Sequence, residues 1–289
     1  LPMDGANEQS VLGAAEALFG YGTSCTADIT GHSPETVYSA LQKSKMEYVL
    51  FKELLGFQPV REIREQLPSS LKPGQDPRIS LSGHALYSTH PGTLQQGKTW
   101  ANKKGRPFAA HLAESPEEVE LLATGRGTLA ELLIPALLPA DYVPPGRSPI
   151  EYADMLGLLD QRTLAVHCVQ AGEHDLQILK SRGASVCLCP RSNSAIGVGA
   201  APWENMLQAK IPVCLGTDSL CSNTDLDVWG ELIHLLKGTR TSYPLQDLIR
   251  MLTVNPGLAL GVHPELGTLQ PGALARTSLV PSEVLCSLS

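Results

Sequence analysis

Three short apolar runs in this 289-residue chain each end on a side chain that can hold a metal or move a proton. Pro107-Phe108-Ala109-Ala110 runs into His111, Thr163-Leu164-Ala165-Val166 into His167, and Val213-Cys214-Leu215-Gly216-Thr217 into Asp218. Runs of that kind read as buried strands, so each delivers one ligating residue at its C-terminal end. Imidazole nitrogens and carboxylate oxygens are donors of catalytic metal sites, and a parallel barrel gathers such residues at one mouth. Glu114 stands three residues beyond His111, at the same mouth, as a candidate proton carrier. Alone, each would more commonly be an ordinary polar loop residue. The repetition over three strands carries the reading.

The elements needed to position these residues can be traced along the chain. Val11, Leu12, Ala15, Leu18 and Phe19 fall at helical spacing, and Gly20-Tyr21-Gly22 closes that helix. Strands are expected to begin near Ser24, Glu47, Arg78, Pro107, Thr163, Ser185 and Pro212. Helical patterns lie between them at 34–45, 93–104, 173–181 and 202–209, with Ser33 as a cap and Pro34 at a first helical position. Strand alternating with helix, in strands too apolar to be half exposed, predicts an α/β fold with a parallel sheet covered by helices. A TIM-like (β/α)8 barrel needs one more strand than these seven. The expectation is that the first strand is missing and that the edge beside the Ser24 strand is open or covered by another segment. Residues 1–268 read as the barrel and 269–289 as the remnant of a small C-terminal β element. At about 121–159 the alternation lapses into an apolar helix followed by a proline-rich loop, either a lid over the mouth or a passive excursion.

At 43% hydrophobic and 18% charged, the chain can bury a substantial core. A net charge of -7 without a basic patch argues against nucleic acid and for a polar or weakly basic small-molecule substrate. No run approaches the roughly 18 apolar residues of a membrane span, and the first residues lack the pattern of a secretion signal, so a cytoplasmic protein is expected. Of the seven cysteines, Cys168, Cys187, Cys189 and Cys214 lie in apolar runs and read as reduced core residues. A zinc site at Cys187-Leu188-Cys189 is the alternative, but no second Cys or His pair stands at finger spacing.

Several motifs occur in a fixed order: His111-Leu112-Ala113-Glu114, Val166-His167-Cys168, Cys189-Pro190-Arg191-Ser192-Asn193, Gly216-Thr217-Asp218-Ser219 with Ser222-Asn223 and Asp225-Leu226-Asp227, and Thr253-Val254-Asn255-Pro256 with Leu260-Gly261. Together they resemble the amidohydrolase superfamily, in its branch of chlorohydrolases and adenosine-, guanine- and cytosine-type deaminases. The likeness runs from about Gly22 to Gly272. It implies a metal-dependent hydrolase barrel holding one divalent metal, zinc or iron, with His111 and Asp218 as ligands. His167 either binds the metal or orients the hydrolytic water, and Glu114 carries a proton from that water to the ring and the leaving amine. His84 is implied as a substrate contact, with His90 the alternative, and Ser219 and Asn223 belong to the same substrate side. Arg191 and Asn193 either hold their loop or touch substrate. His32, His174, His234 and His263 receive no role.

The sequence departs from the family in two places. The family's first strand ends in His-x-His, and no two histidines here stand two apart, which is read as a piece of a longer enzyme or a decayed site, the former preferred. Ala273-Leu274-Ala275-Arg276-Thr277 replaces the usual Ala-Asp-Leu and its strand. The function implied first is hydrolytic deamination of an aromatic amine, a purine nucleoside or relative such as S-adenosylhomocysteine, methylthioadenosine or aminofutalosine. One metal is favoured because Ile79-Ser80-Leu81-Ser82 offers no bridging Lys. Hydrolysis of another C–N or C–Cl bond is the second reading and a barrel without turnover the third. A homodimer formed over the open edge is a further expectation.

Overall fold

The structure, a computed structural model, describes residues 7–71, 74–139, 141–237, 239 and 243–286. Its centre is a sheet of seven strands: β1 (Cys25–Thr30), β2 (Glu47–Leu54), β3 (Ile79–Ala85), β4 (Phe108–Leu112), β5 (Thr163–His167), β6 (Ser185–Leu188) and β7 (Val213–Leu215). Each strand pairs with the next, and every pairing is parallel. Parallel neighbours require the chain to cross back over one face of the sheet, and helices such as Pro34–Lys43, Pro91–Lys103 and Glu173–Arg182 do so. The fold is thus the α/β barrel type expected, with seven strands each beginning within a residue of the position predicted by its apolar run. Among the described residues β1 and β7 do not pair with each other, so the sheet ends in two edges. No helix in them is long and apolar enough to cross a membrane.

Two apolar layers flank this sheet. Val49, Phe51, Ala109, Leu164, Val166, Cys189 and Cys214 meet on its inner face, at alternate positions along their strands. Leu54, Leu81, Phe108, Leu112, Ala165, Val186 and Val213 pack outward in the larger cluster that includes helix residues Leu94, Leu122, Leu176 and Leu232. Close contact of sheet and helix uses Gly83, where a Cβ would lie 2.2 Å from Leu94 Cδ2.

Strand β3 runs to Ala85, with a register shift between Gly83 and Ala85, and carries His84 at its end. Two local expectations change. Ser33 does precede the helix at Pro34, but its φ of 52° is left-handed and its side chain makes no capping bond. The β element expected in 269–289 is irregular chain followed by a helix, Ser282–Cys286, in the residues described there. Pro271, Gly272 at φ 93° and Pro281 interrupt this stretch, and Leu269 and Leu279 are 86% and 91% exposed. The insert after β4 forms helices Pro116–Thr124, Thr128–Ala136 and Pro149–Met155. An apolar cluster of Phe57, Leu121, Ala130 and Leu138 fastens it to the connection after β2.

Phe108, at 0% exposure, packs against Gly83 of β3 and Gly97 of helix Pro91–Lys103. Phe108→Ala is expected to lower unfolding free energy by about 3–5 kcal/mol in urea denaturation. Leu269→Ala, on the surface, should shift it by less than about 0.5 kcal/mol.

Candidate functional site

The C-terminal ends of β3, β4 and β5 bring three imidazoles into a row. The ring centroids of His84 and His111 are 5.4 Å apart, and those of His111 and His167 are 5.5 Å apart. The backbone at this mouth is unusual. Of the six non-glycine residues with positive φ among the described residues, Ala113, His167, Cys168 and Asp218 all lie here. Such conformations cost roughly 1–3 kcal/mol each and persist only where surrounding bonds fix them.

Those bonds also set the proton positions. His111 Nδ1 lies 3.0 Å from the carbonyl oxygen of His84, so Nδ1 carries the hydrogen and donates it. His167 Nδ1 stands in the same relation to Asn193 Oδ1, at 3.0 Å. In each ring Nε2 is left with its lone pair. Burial lowers the pKa of both rings, and for His111 the neighbouring charge of His167 adds to the effect, so both are neutral at pH 7. Burial, followed by the charge of His111, brings His84 down to about 4. His167 Nε2 faces Glu114 Oε1 at 3.4 Å, and burial raises the Glu114 pKa. A neutral ring nitrogen and a carboxylate oxygen, both acceptors, face each other only when a proton or a cation is shared.

Two carboxylates hold the loops that carry these groups. Glu118, 2% exposed, accepts from the Glu114 backbone N–H at 2.7 Å through Oε2, while its Oε1 has no partner among the described residues. Burial pushes its pKa up to about 8. Glu231, at 0% exposure, accepts from the Arg191 N–H at 2.9 Å, from Arg191 Nε at 2.7 Å and from Asn223 Nδ2 at 2.7 Å. Arg191 also reaches Asp225 at 2.7 Å. Arg191 therefore braces its loop. Neither Glu118 nor Glu231 stands out in the sequence as a site residue. Ser115-Pro116-Glu117-Glu118 did carry the spacing of a helix-start Glu that turns back on its own N-terminus.

Asp218 follows β7 and is exposed; it accepts from Ser192 Oγ at 2.7 Å and from the Ser219 N–H at 2.7 Å. Ser219 lies at the surface, whereas Asn223 spends its amide on Thr217 O and Glu231 rather than turning it outward. His84 rather than His90 neighbours His111: His90 Nδ1 accepts from the Gly92 N–H at the start of its helix. His32 is exposed, and His174 pairs with Glu151 at 3.4 Å on the surface. Cys25, Cys168, Cys187, Cys189, Cys214 and Cys221 are free thiols. The residue types at the mouth match the donors of a divalent metal, and the two free Nε2 atoms suit it. Yet no three His, Cys, Asp or Glu side chains among the described residues form a group that could hold one.

Residues 12–285 match the amidohydrolase family. The chain belongs to that family. It is 31% identical over 271 residues to a 5-methylthioadenosine/S-adenosylhomocysteine deaminase of Pelotomaculum thermopropionicum, covering 90% of this chain and 58% of that protein. An aminodeoxyfutalosine deaminase of Deinococcus radiodurans is 30% identical over 234 residues, covering 75% of this chain and 55% of that one. The chain thus spans a little over half the length of these relatives. Its fold is that of a Helicobacter pylori aminofutalosine deaminase, with TM-score 0.81, 23% identity and coverage of 97% of this chain and 72% of the other. It is also that of a Xanthomonas campestris adenosine deaminase crystallised with zinc, with TM-score 0.76, 22% identity and coverage of 93% and 60%.

Since the folded-state pKa of Glu118 lies above its ordinary 4.5, its contribution to stability is full below that value and is lost as pH rises toward 8. Glu118→Gln, which cannot titrate, should therefore show a flatter thermal-unfolding profile over this window. Melting temperatures measured from about pH 5 to 8.5 should fall more for the wild type than for the variant.

Proposed function

We propose that this amidohydrolase-family chain carries the barrel of a hydrolytic deaminase acting on an aromatic amine of purine-nucleoside type. The observation that carries the reading is the pair of neutral imidazoles, His111 half-buried and His167 buried, each with Nδ1 engaged, with His167 Nε2 facing Glu114. The curated relatives named above deaminate adenosine derivatives or aminodeoxyfutalosine, and this supports the substrate class.

His111 and His167, through Nε2, and Asp218 have the donor atoms a divalent metal would use, zinc by preference, although the three do not converge as a ready-made group among the described residues. When bound, the metal would lower the pKa of a water toward neutrality. Glu114 has the character of the proton carrier: burial raises its pKa toward the working range, so it can take a proton from water and pass it to the ring nitrogen and the departing amine. His167 keeps Glu114 and the water oriented, because Asn193 fixes its tautomer. His84, neutral and beside His111, offers the substrate a ring nitrogen, while its own Nδ1 contacts Ser88 Oγ at 2.5 Å. Ser219 and Asn223 belong to the loop after β7 and act mainly by holding Asp218 in place.

Two measurements test this reading. Glu114→Gln in an active preparation should keep fold and metal while losing roughly 10²- to 10⁴-fold in turnover, since an amide cannot relay the proton. Near-normal turnover would move the proton carrier to another residue, His167 first. The 289-residue chain itself should bind zinc weakly and release ammonia from adenosine slowly, because its motifs supply three donors at most. Elemental analysis giving one tightly held metal per chain, with rapid ammonia release, would contradict that expectation.

A further inference from the structure

We infer that Glu53 is a substrate-contacting residue, recognising a hydrogen-bond donor at the end of the ligand remote from its reacting amine. The inference deepens the deaminase reading and rests on it. On β2, Val49 and Phe51 point into the sheet's inner layer. Side chains alternate along a strand, so Glu53 takes the same inward face one step nearer the mouth. Ala109 and His111 stand in that relation on β4, and the Glu53 carboxylate is close enough to His111 for the two to interact electrostatically. It rests against bare backbone at the end of β1, where a Cβ on Gly31 would lie 2.7 Å from Glu53 Oε2.

What sets Glu53 apart from the other acidic groups here is its lack of partners. Glu118 and Glu231 are consumed by loop N–H groups and by Arg191. The Glu53 carboxylate accepts no hydrogen bond and forms no ion pair with the described residues, although it is half enclosed. The adjacent Lys52 does not satisfy it, because Nζ turns to the backbone oxygens of Gly31 at 3.3 Å and Glu53 at 2.7 Å. A part-buried carboxylate without donors is costly, and a ligand that supplies donors recovers that cost.

Position then selects the ligand's chemistry. Strands β2 and β4 are two spacings apart, roughly 10 Å. A ligand whose amine sits by Glu114 and His167 on the β4 and β5 side presents its far end to Glu53. The far end must offer a donor, either a ring N–H or the hydroxyls of an attached sugar, and it must not be anionic, since like charges would repel.

The test is calorimetric titration of the full chain with adenosine and with adenine, for wild type, Glu53→Ala and Glu53→Gln. Hydrogen bonds to a charged group predict about 10- to 100-fold weaker adenosine binding for Glu53→Ala, with the near-isosteric Glu53→Gln in between. A loss for adenosine alone assigns the contact to the sugar hydroxyls, and an equal loss for adenine assigns it to a ring N–H; either outcome supports the inference. Should Glu53→Ala fail to fold, as judged by circular dichroism, Glu53→Gln decides. Wild-type affinity in the folded variants overturns the role of Glu53 while leaving the deaminase reading intact. A wild-type chain that binds neither ligand removes that reading and this inference together.

Discussion

Two hydrogen bonds from imidazole Nδ1 atoms decide what the mouth of this sheet can do. His111 donates to the backbone carbonyl of His84, and His167 donates to the side-chain oxygen of Asn193. Each bond fixes a tautomer, and each leaves Nε2 as a lone-pair donor in a site whose burial disfavours the imidazolium. Were either Nδ1 unbonded, the ring could turn or change tautomer, and the orientation of its Nε2 lone pair would be lost. The sheet exists to make these bonds possible: the His84 carbonyl and His111 come together only because β3 and β4 are parallel neighbours, with Ala85 in register with His111.

Around those rings the structure spends stability to hold shape. Left-handed backbone at Ala113, His167, Cys168 and Asp218 is unfavourable, and a buried Glu118 whose pKa reaches about 8 is unfavourable as an anion. Both are tolerated because loop and carboxylate stabilise each other: N–H groups of residues 113–115 point at Glu118, and the helix beginning at Pro116 is capped by Ser115. On the β7 side, Glu231 does the same for Arg191 and Asn223. One difference between the two sides matters for chemistry. His167 is buried while Asp218 is exposed, so the enclosed part of the site is the β4–β5 half and the solvent-facing part is the β7 loop.

Much of this was legible in the chain. Strands β1 to β7 were readable because buried parallel strands are near-continuous apolar runs, and His111, His167 and Asp218 stood out as ligating groups at or just past the ends of three of them. Arg191 and Asn193 were left open between bracing and binding, and it took the geometry to show Arg191 tied to Glu231. Glu53 went unseen because its neighbours Lys52 and Leu54 mask the alternation that places it inward, and a Lys-Glu pair on its own reads as solvated surface. Glu231 sits in an amphipathic helix, where an acidic residue in the first turn has an ordinary explanation. The segment after residue 268 differs from the small β element expected of it: the residues described there are irregular chain and a short helix.

The chemistry of this mouth depends on the tautomers of His111 and His167, and nitrogen-15 NMR of the histidine side chains observes them directly. Near pH 7, both rings should be neutral with hydrogen on Nδ1 and a lone pair on Nε2, and added zinc should shift the Nε2 resonances of these two residues first. Hydrogen on Nε2 in either ring, or an imidazolium at that pH, would contradict it.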